Sequence, residues 1–222
     1  MAEKKIYHVF NRGVEKRDIF LEDVDRVRFI HDMFEFNDCN PAPKYLSNGE
    51  VENQKERDSL VTIYAFCLMP NHYHLLLEEI NDGSMSLFAK KLQGGYARAF
   101  NEKHKRSGYL FQGKYKKIPI STDRQLFQVA CYIHANPLDL WKFKWKEEGL
   151  KKEEMKEALN FLDNYRWSSH IDYLGKKNFS SIINKRLLTG IFNENVDYEK
   201  CFKEWLEFFE NNIQEIKQLI NE

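Results

Sequence analysis

No stretch of the 222-residue chain approaches the roughly 18 consecutive apolar residues that a bilayer-crossing helix requires. The start, Met1-Ala2-Glu3-Lys4-Lys5-Ile6, also lacks the apolar core of a secretory signal. A soluble, cytoplasmic protein with no membrane partner is therefore expected. Cysteine is scarce and scattered. Cys39, Cys67, Cys131 and Cys201 contain no C-x-x-C pair, which argues against a zinc ribbon or a disulfide framework and leaves ordinary thiols. There is no internal repeat and no low-complexity tract. The chain also lacks a net charge, with 34 Lys and Arg against 34 Asp and Glu, so no overall positive field marks it as a polyanion binder.

What is present is unevenly placed. Between Lys90 and Lys117 the cations Lys90, Lys91, Arg98, Lys103, Lys105, Arg106, Lys114, Lys116 and Lys117 face a single acid, Glu102. Tyr96, Phe100, Tyr109, Phe111 and Tyr115 are interleaved with them, and single-stranded nucleic acid binds such mixtures of cations and ring faces. A solvated basic face without a partner would have the same composition. The acids gather elsewhere, over Glu147 to Glu157 and from Glu194 to Glu222.

Most informative is the run Met69-Pro70-Asn71-His72-Tyr73-His74-Leu75-Leu76-Leu77-Glu78. As a strand it places His72, His74 and Leu76 on one face and Tyr73, Leu75 and Leu77 on the other. Two imidazoles on one strand face can share a divalent cation, provided the rest of the chain supplies a further ligand. Two half-exposed polar residues on a sheet face would give the same spacing.

Ahead of this run, Ile6 to Phe10 reads as a strand, and Val24, Val27, Ile30 and Phe34 share one helical face in a helix ending near Phe36. Asn37 to Ser59 is polar and turn-rich, an insertion or long loop, and Leu60 to Leu68 is a buried type of strand. Beyond it, Met85, Phe88, Leu92, Tyr96 and Ala99 follow a helical period, with Gly94-Gly95 suggesting close packing. Gly108 to Ile120 has the alternation of extended chain. Thr122-Asp123-Arg124-Gln125 matches a capping box opening a helix that Pro137 ends. On that helix Leu126, Val129, Ala130 and Ile133 form the buried stripe, flanked by Gln125, Gln128, Tyr132 and Asn136. A charged helical stretch reaches about Leu162, and Asp197 to Ile220 is an amphipathic helix faced by Phe202, Leu206, Phe209 and Ile213.

Tyr132 and Asn136 are one turn apart on the same face. The Asn136 amide oxygen is a suitable hard ligand for a cation, and a tyrosine one turn away would lie beside that cation. A phenol is a poor nucleophile at neutral pH unless a metal or base assists it. His134 is a second candidate, but two positions from Tyr132 it faces elsewhere and reads as structural.

Five strings occur in one order: Tyr7-His8-Val9 with Asn11-Arg12-Gly13; Met69 to Leu77; Leu110-Phe111-Gln112-Gly113-Lys114-Tyr115; Tyr132-Ile133-His134-Ala135-Asn136-Pro137; and Tyr165-Arg166-Trp167-Ser168-Ser169. Together they resemble the REP-associated tyrosine transposases, within the single-tyrosine group of His-hydrophobic-His (HUH) transposases and nucleases. The resemblance spans Ile6 to Tyr173. It implies an α+β fold, a ferredoxin-like antiparallel sheet with helices packed on one face, in a catalytic domain over residues 1–175 that carries the polar insertion 37–59. Residues 176–222 are then a C-terminal helical extension.

The same resemblance implies metal-dependent cutting and rejoining of single-stranded or hairpin DNA through a 5′-phosphotyrosine. His72, His74 and Asn136 match the ligands of Mg2+ or Mn2+, and two imidazoles make Mn2+ the better fit. Tyr132 matches the nucleophile. The expected DNA contacts are Arg12, Lys90, Lys91, Arg98, Lys105, Arg106, Gln112, Lys114, Tyr115, Lys116 and Lys117, on a monomer or homodimer. Two other classes share parts of the pattern. One is a hairpin-binding module that no longer cuts, for which the joint presence of His72, His74, Tyr132 and Asn136 would be superfluous. The other is a relaxase or replication initiator, whose nucleophile precedes the histidines and for which Tyr7 is the rival.

Overall fold

The computed structural model describes residues 5–41, 56–142, 144–191 and 197–209. Most of the polar insertion, residues 42–55, and the tail beyond Phe209, including Ile213, lie outside the described residues.

The chain alternates strand and helix as β1 (Lys5–Arg12), α1 (Asp23–Glu35), β2 (Val61–Met69), β3 (His72–Glu79), α2 (Ser84–Lys103) and β4 (Lys116–Ile120). The four strands pair antiparallel in the order β2-β3-β1-β4. This is the split βαβ arrangement of a ferredoxin-like α+β fold. β2 and β3 form a hairpin closed by Pro70 and Asn71. Its turn is anchored by the backbone N–H of Ile19 donating to the Pro70 carbonyl at 2.8 Å and that of Gly13 to the Asn71 carbonyl at 2.8 Å.

Register fixes the two faces of the sheet. His72 lies opposite Arg12 and Met69, and His74 opposite Phe10 and Cys67. These residues share a face with His8 and Lys116, while Tyr73, Leu75, Asn11 and Val9 share the other. α1 and α2 cover the Tyr73 face, where the rings of Phe29, Tyr73 and Tyr96 meet at 5.0 Å. The histidine face is covered as well. α3 (Asp123–Ala135) packs there, with the Tyr132 ring 5.8 Å from that of His74. Helices thus lie on both faces, where the resemblance anticipated one.

After α3 come α4 (Leu138–Trp141), α5 (Trp145–Glu148), α6 (Met155–Asn164), α7 (His170–Tyr173), α8 (Arg186–Ile191) and α9 (Tyr198–Glu207). The segment before α7 runs along β2, with the Leu68 N–H donating to the Trp167 carbonyl at 2.9 Å and that of Phe66 to Ser169 Oγ at 2.9 Å. α8 and α9 pack on α3. Because the sheet and these helices enclose it beyond its first turn, α3 is buried from Gln128 onward, and Gln128, Tyr132, His134 and Asn136 are core residues rather than a flank. Its N-terminus carries the anticipated cap. Thr122 Oγ1 accepts from the Gln125 N–H at 3.1 Å, and the Gln125 side chain reaches back to the Ser121 N–H at 2.8 Å.

α1 departs from its expected face. Val24, Val27 and Phe34 are exposed, and the helix buries Asp25, Phe29, Ile30, Asp32 and Met33. Asp25 is drawn inward because its carboxylate caps the helix and receives Lys103 Nζ at 2.7 Å and His104 at 3.1 Å. Gly95 justifies the glycine pair in α2: a Cβ there would sit 2.2 Å from the Phe36 ring, whereas one at Gly94 meets nothing within 4 Å.

Candidate active site and nucleic-acid interface

The hairpin turn hands its first side chain to the site. Asn71 Oδ1 accepts from His72 Nδ1 at 2.6 Å, and the same amide donates through Nδ2 to the Lys16 carbonyl at 3.2 Å. An amide oxygen only accepts, so Nδ1 carries the proton and Nε2 is the lone-pair nitrogen of His72. His74 is fixed from β1: its Nδ1 lies 2.9 Å from His8 Nε2, and the two rings stack with centroids 5.1 Å apart. The His72 and His74 rings are 5.0 Å apart, nearly perpendicular, and their Nε2 atoms are buried.

α3 brings the remaining candidates. The Tyr132 ring meets His74 edge-on and lies 6.2 Å from His8, and none of Tyr132 is exposed. Lys146 Nζ donates to its hydroxyl at 3.0 Å and to Asp139 Oδ2 at 2.8 Å. Asn136, one turn further, donates its amide to the Tyr132 carbonyl at 3.1 Å, which leaves Oδ1 buried with no hydrogen-bond partner. An orphaned acceptor of this kind is costly unless something fills the gap. Among the described residues no three His, Cys, Asp or Glu side chains form a metal cage, so the third donor for a cation beside the two histidines would be this amide oxygen. Two imidazoles and one neutral oxygen suit Mn2+ or Mg2+, and the donor set fits the group that the sequence implies.

The mouth of the site is cationic. Phe10, Asn11, Arg12, His72, Gln112, Lys114 and Lys116 line a cavity of ≈ 200 Å³. Its outer loop is pinned from the far face of the sheet, where Asn11 Nδ2 donates to the Gly113 carbonyl at 2.9 Å and to Gln93 Oε1 at 3.1 Å. Gln93 in turn donates to the Tyr73 hydroxyl at 2.7 Å. Burial raises the Tyr73 phenol far above its ordinary range, so it stays protonated.

The basic segment read from the sequence is therefore divided. Arg12, Gln112, Lys114 and Lys116 converge beside His72. Lys117 points to the opposite face, 4.7 Å above the Tyr7 ring, and Tyr115 is held there by a 2.9 Å bond to Ser86. Lys90, Lys91 and Arg98 belong to α2 on that same far side, and Lys105 and Arg106 follow its end. Lys91 is tied into the fold through the Asp38 and Asn40 carbonyls, and burial lowers its pKa. Arg106 is bonded to Asn101 Oδ1 at 2.8 Å. Tyr7, the rival nucleophile, faces away from the histidines. His134 is buried between Ser169 and Tyr198, at 2.8 Å from each.

Residues 47–136 match the family model described as "Transposase IS200 like". Over this segment the chain is similar to the IS200-like transposases. The matched segment includes His72, His74, Tyr132 and Asn136. Among solved structures, a REP-associated tyrosine transposase bound to a REP hairpin aligns over 78% of this chain and 79% of its own, with 12% identity and a TM-score of 0.46. A transposase from Deinococcus radiodurans aligns over 60% of this chain and 91% of its own, with 18% identity and a TM-score of 0.36. No curated protein sequence matches at a significant level.

Three contributors to this candidate site were not marked by the sequence: His8, Asn71 and Lys146. His8 and Asn71 stand inside quoted strings, and strand parity would have placed His8 on the histidine face once the β1–β3 pairing was known. Lys146 lies beyond the matched segment, in a stretch that reads only as charged.

Proposed function

We propose that this IS200-like protein cuts and rejoins single-stranded DNA at a hairpin, using Tyr132 as nucleophile and a divalent cation held by His72, His74 and Asn136. The observation that supports it most is the assembly, within one chain, of a phenol against the two-histidine face with an orphaned amide oxygen one helical turn away.

The bond changes are those of a transesterification. Tyr132 Oη bonds to phosphorus as the P–O3′ bond breaks, the phenol proton passing in net to the departing 3′-oxygen. The 5′ end is left as a phosphotyrosine that keeps the bond energy for resealing. A bound cation supplies polarisation of the phosphoryl oxygens. The chain's own groups orient: Asn71 and His8 hold the two imidazoles, and Lys146 holds the phenol. Arg12, Lys114 and Lys116 attract the phosphates, and the hairpin enters from their side of the sheet.

The deciding experiment is to incubate labelled hairpin DNA with the protein and Mn2+ and to resolve protein-linked 5′ ends on a denaturing gel. The wild type forms the adduct and Tyr132→Phe does not. An adduct that survives in Tyr132→Phe and disappears in Tyr7→Phe supports the relaxase arrangement instead; cutting without an adduct rules out the covalent route. Charge reversal at Lys114 and Lys116 together is expected to weaken DNA binding and to lower the slope of log affinity against log salt by about 2, one per lost phosphate contact.

A further inference from the structure

We propose that Lys146 clamps the phosphoryl group during its transfer to Tyr132, which makes it a second catalytic residue of the reaction; this rests on Tyr132 being the nucleophile. The ammonium already touches the atom that would react, at 3.0 Å from Tyr132 Oη, and sits 4.9 Å from the centre of its ring. A phosphoryl group joined to Oη carries its non-bridging oxygens one bond further out, within reach of the same three-donor ammonium. A cation fixed there stabilises the negative charge that builds on those oxygens as the Oη–P bond forms and the P–O3′ bond breaks. It neither gains nor loses a proton in the step.

The site around Lys146 is built rather than incidental. Asp139 holds the ammonium through Oδ2 at 2.8 Å and accepts from Trp145 Nε1 through Oδ1 at 2.7 Å. Trp145 is fully buried, and its ring packs 4.6 Å from that of Phe209 just beyond α9. The lysine is therefore held before DNA arrives, and pre-organised charge costs no rearrangement at the moment of reaction. Tyr132 has no exposed surface, while Lys146 keeps 20% of its side chain in solvent. An ordinary surface ion pair would not need a buried indole to orient its carboxylate.

The test measures single-turnover adduct formation at saturating hairpin DNA with Mn2+, alongside DNA affinity by fluorescence anisotropy and thermal melting. Lys146→Met is expected to bind DNA within about twofold of wild type but to form the adduct on the order of a hundredfold more slowly, the loss typical of one transition-state donor. Lys146→Arg, which keeps the charge, recovers most of the rate. Should Lys146→Met melt too early to assay, Lys146→Gln replaces it, keeping a donor without the charge, and the same hundredfold loss is expected. A wild-type rate in either neutral variant overturns the inference while leaving Tyr132 in place. Weakened DNA binding at an unchanged saturated rate also overturns it, by making Lys146 a ground-state contact. If the wild type forms no adduct, or Tyr132→Phe still does, the nucleophile assignment has failed and the clamp falls with it.

Discussion

Tyr132 sets a buried phenol against the partly exposed ammonium of Lys146, and removing the hydroxyl separates its chemical and structural roles. In Tyr132→Phe the ring keeps its contacts with His8 and His74, and Lys146 keeps Asp139. The expected destabilisation is about 1.5–3 kcal/mol, one charge-assisted hydrogen bond, measured by urea melting, against complete loss of the adduct. A cost well above that would mean that the hydroxyl mainly holds the core together. That His72 lies beside His74, and Tyr132 beside Asn136, could be read from the sequence because spacings of two along a strand and four along a helix bring side chains to one face. His8 and Lys146 could not be read in this way, because they reach the site across 66 and 14 residues of chain, separations that no local period encodes.

Elements carry two further expectations. In α2 the adjacent glycines should respond in opposite senses to alanine. Gly94→Ala has open space and should gain about 0.5–1 kcal/mol from helix propensity, while Gly95→Ala drives a methyl into Phe36 and should lose about 1–3 kcal/mol. Equal effects in melting experiments would mean that Phe36 yields freely. The second concerns the buried chain Ser169–His134–Tyr198–His170–Asp163, which ties α3 to α9. Burial lowers the pKa of His134, reinforced by His170, and burial also lowers that of His170 although Asp163 opposes it. Both pKa values are depressed in the folded state, so below the ordinary histidine value near 6.5 the unfolded chain binds more protons and stability falls with pH. Hydrogen exchange at pH 7.5 and 5.5 should show protection of α9 lost first on acidification, and His134→Gln should flatten the slope. The sequence marked these helices correctly by period. It misplaced the face of α1 because hydrophobicity cannot foresee that Asp25 turns inward to cap and pair, and it found the buried stripe of α3 but not that Gln128, Tyr132 and Asn136 beside it are buried as well.

At the scale of the molecule, the phenol and the histidines of one chain are already adjacent, so one copy contains every proposed catalytic group. Mixing Tyr132→Phe with His74→Ala should restore no adduct. Recovered activity would show that copies exchange their helices. The ferredoxin-like frame followed from the resemblance carried by the five ordered strings, whereas the split of the basic segment across two faces could not be foreseen, since charge along the chain says nothing about the side on which a strand residue emerges. The contacts at the base of the polar segment also bear on how the protein can vary. The Cys39 N–H donates to the Asp58 carbonyl at 2.8 Å, and Lys91 grips the carbonyls of Asp38 and Asn40. Entry and exit are thus stitched together independently of whatever joins them. Doubling the length of such a closed excursion costs only about 0.6 kcal/mol. The base works as a socket: replacing residues 42–55 with a segment of another length is expected to leave the melting temperature and adduct formation close to wild type, and a large fall in either would show that the passenger matters.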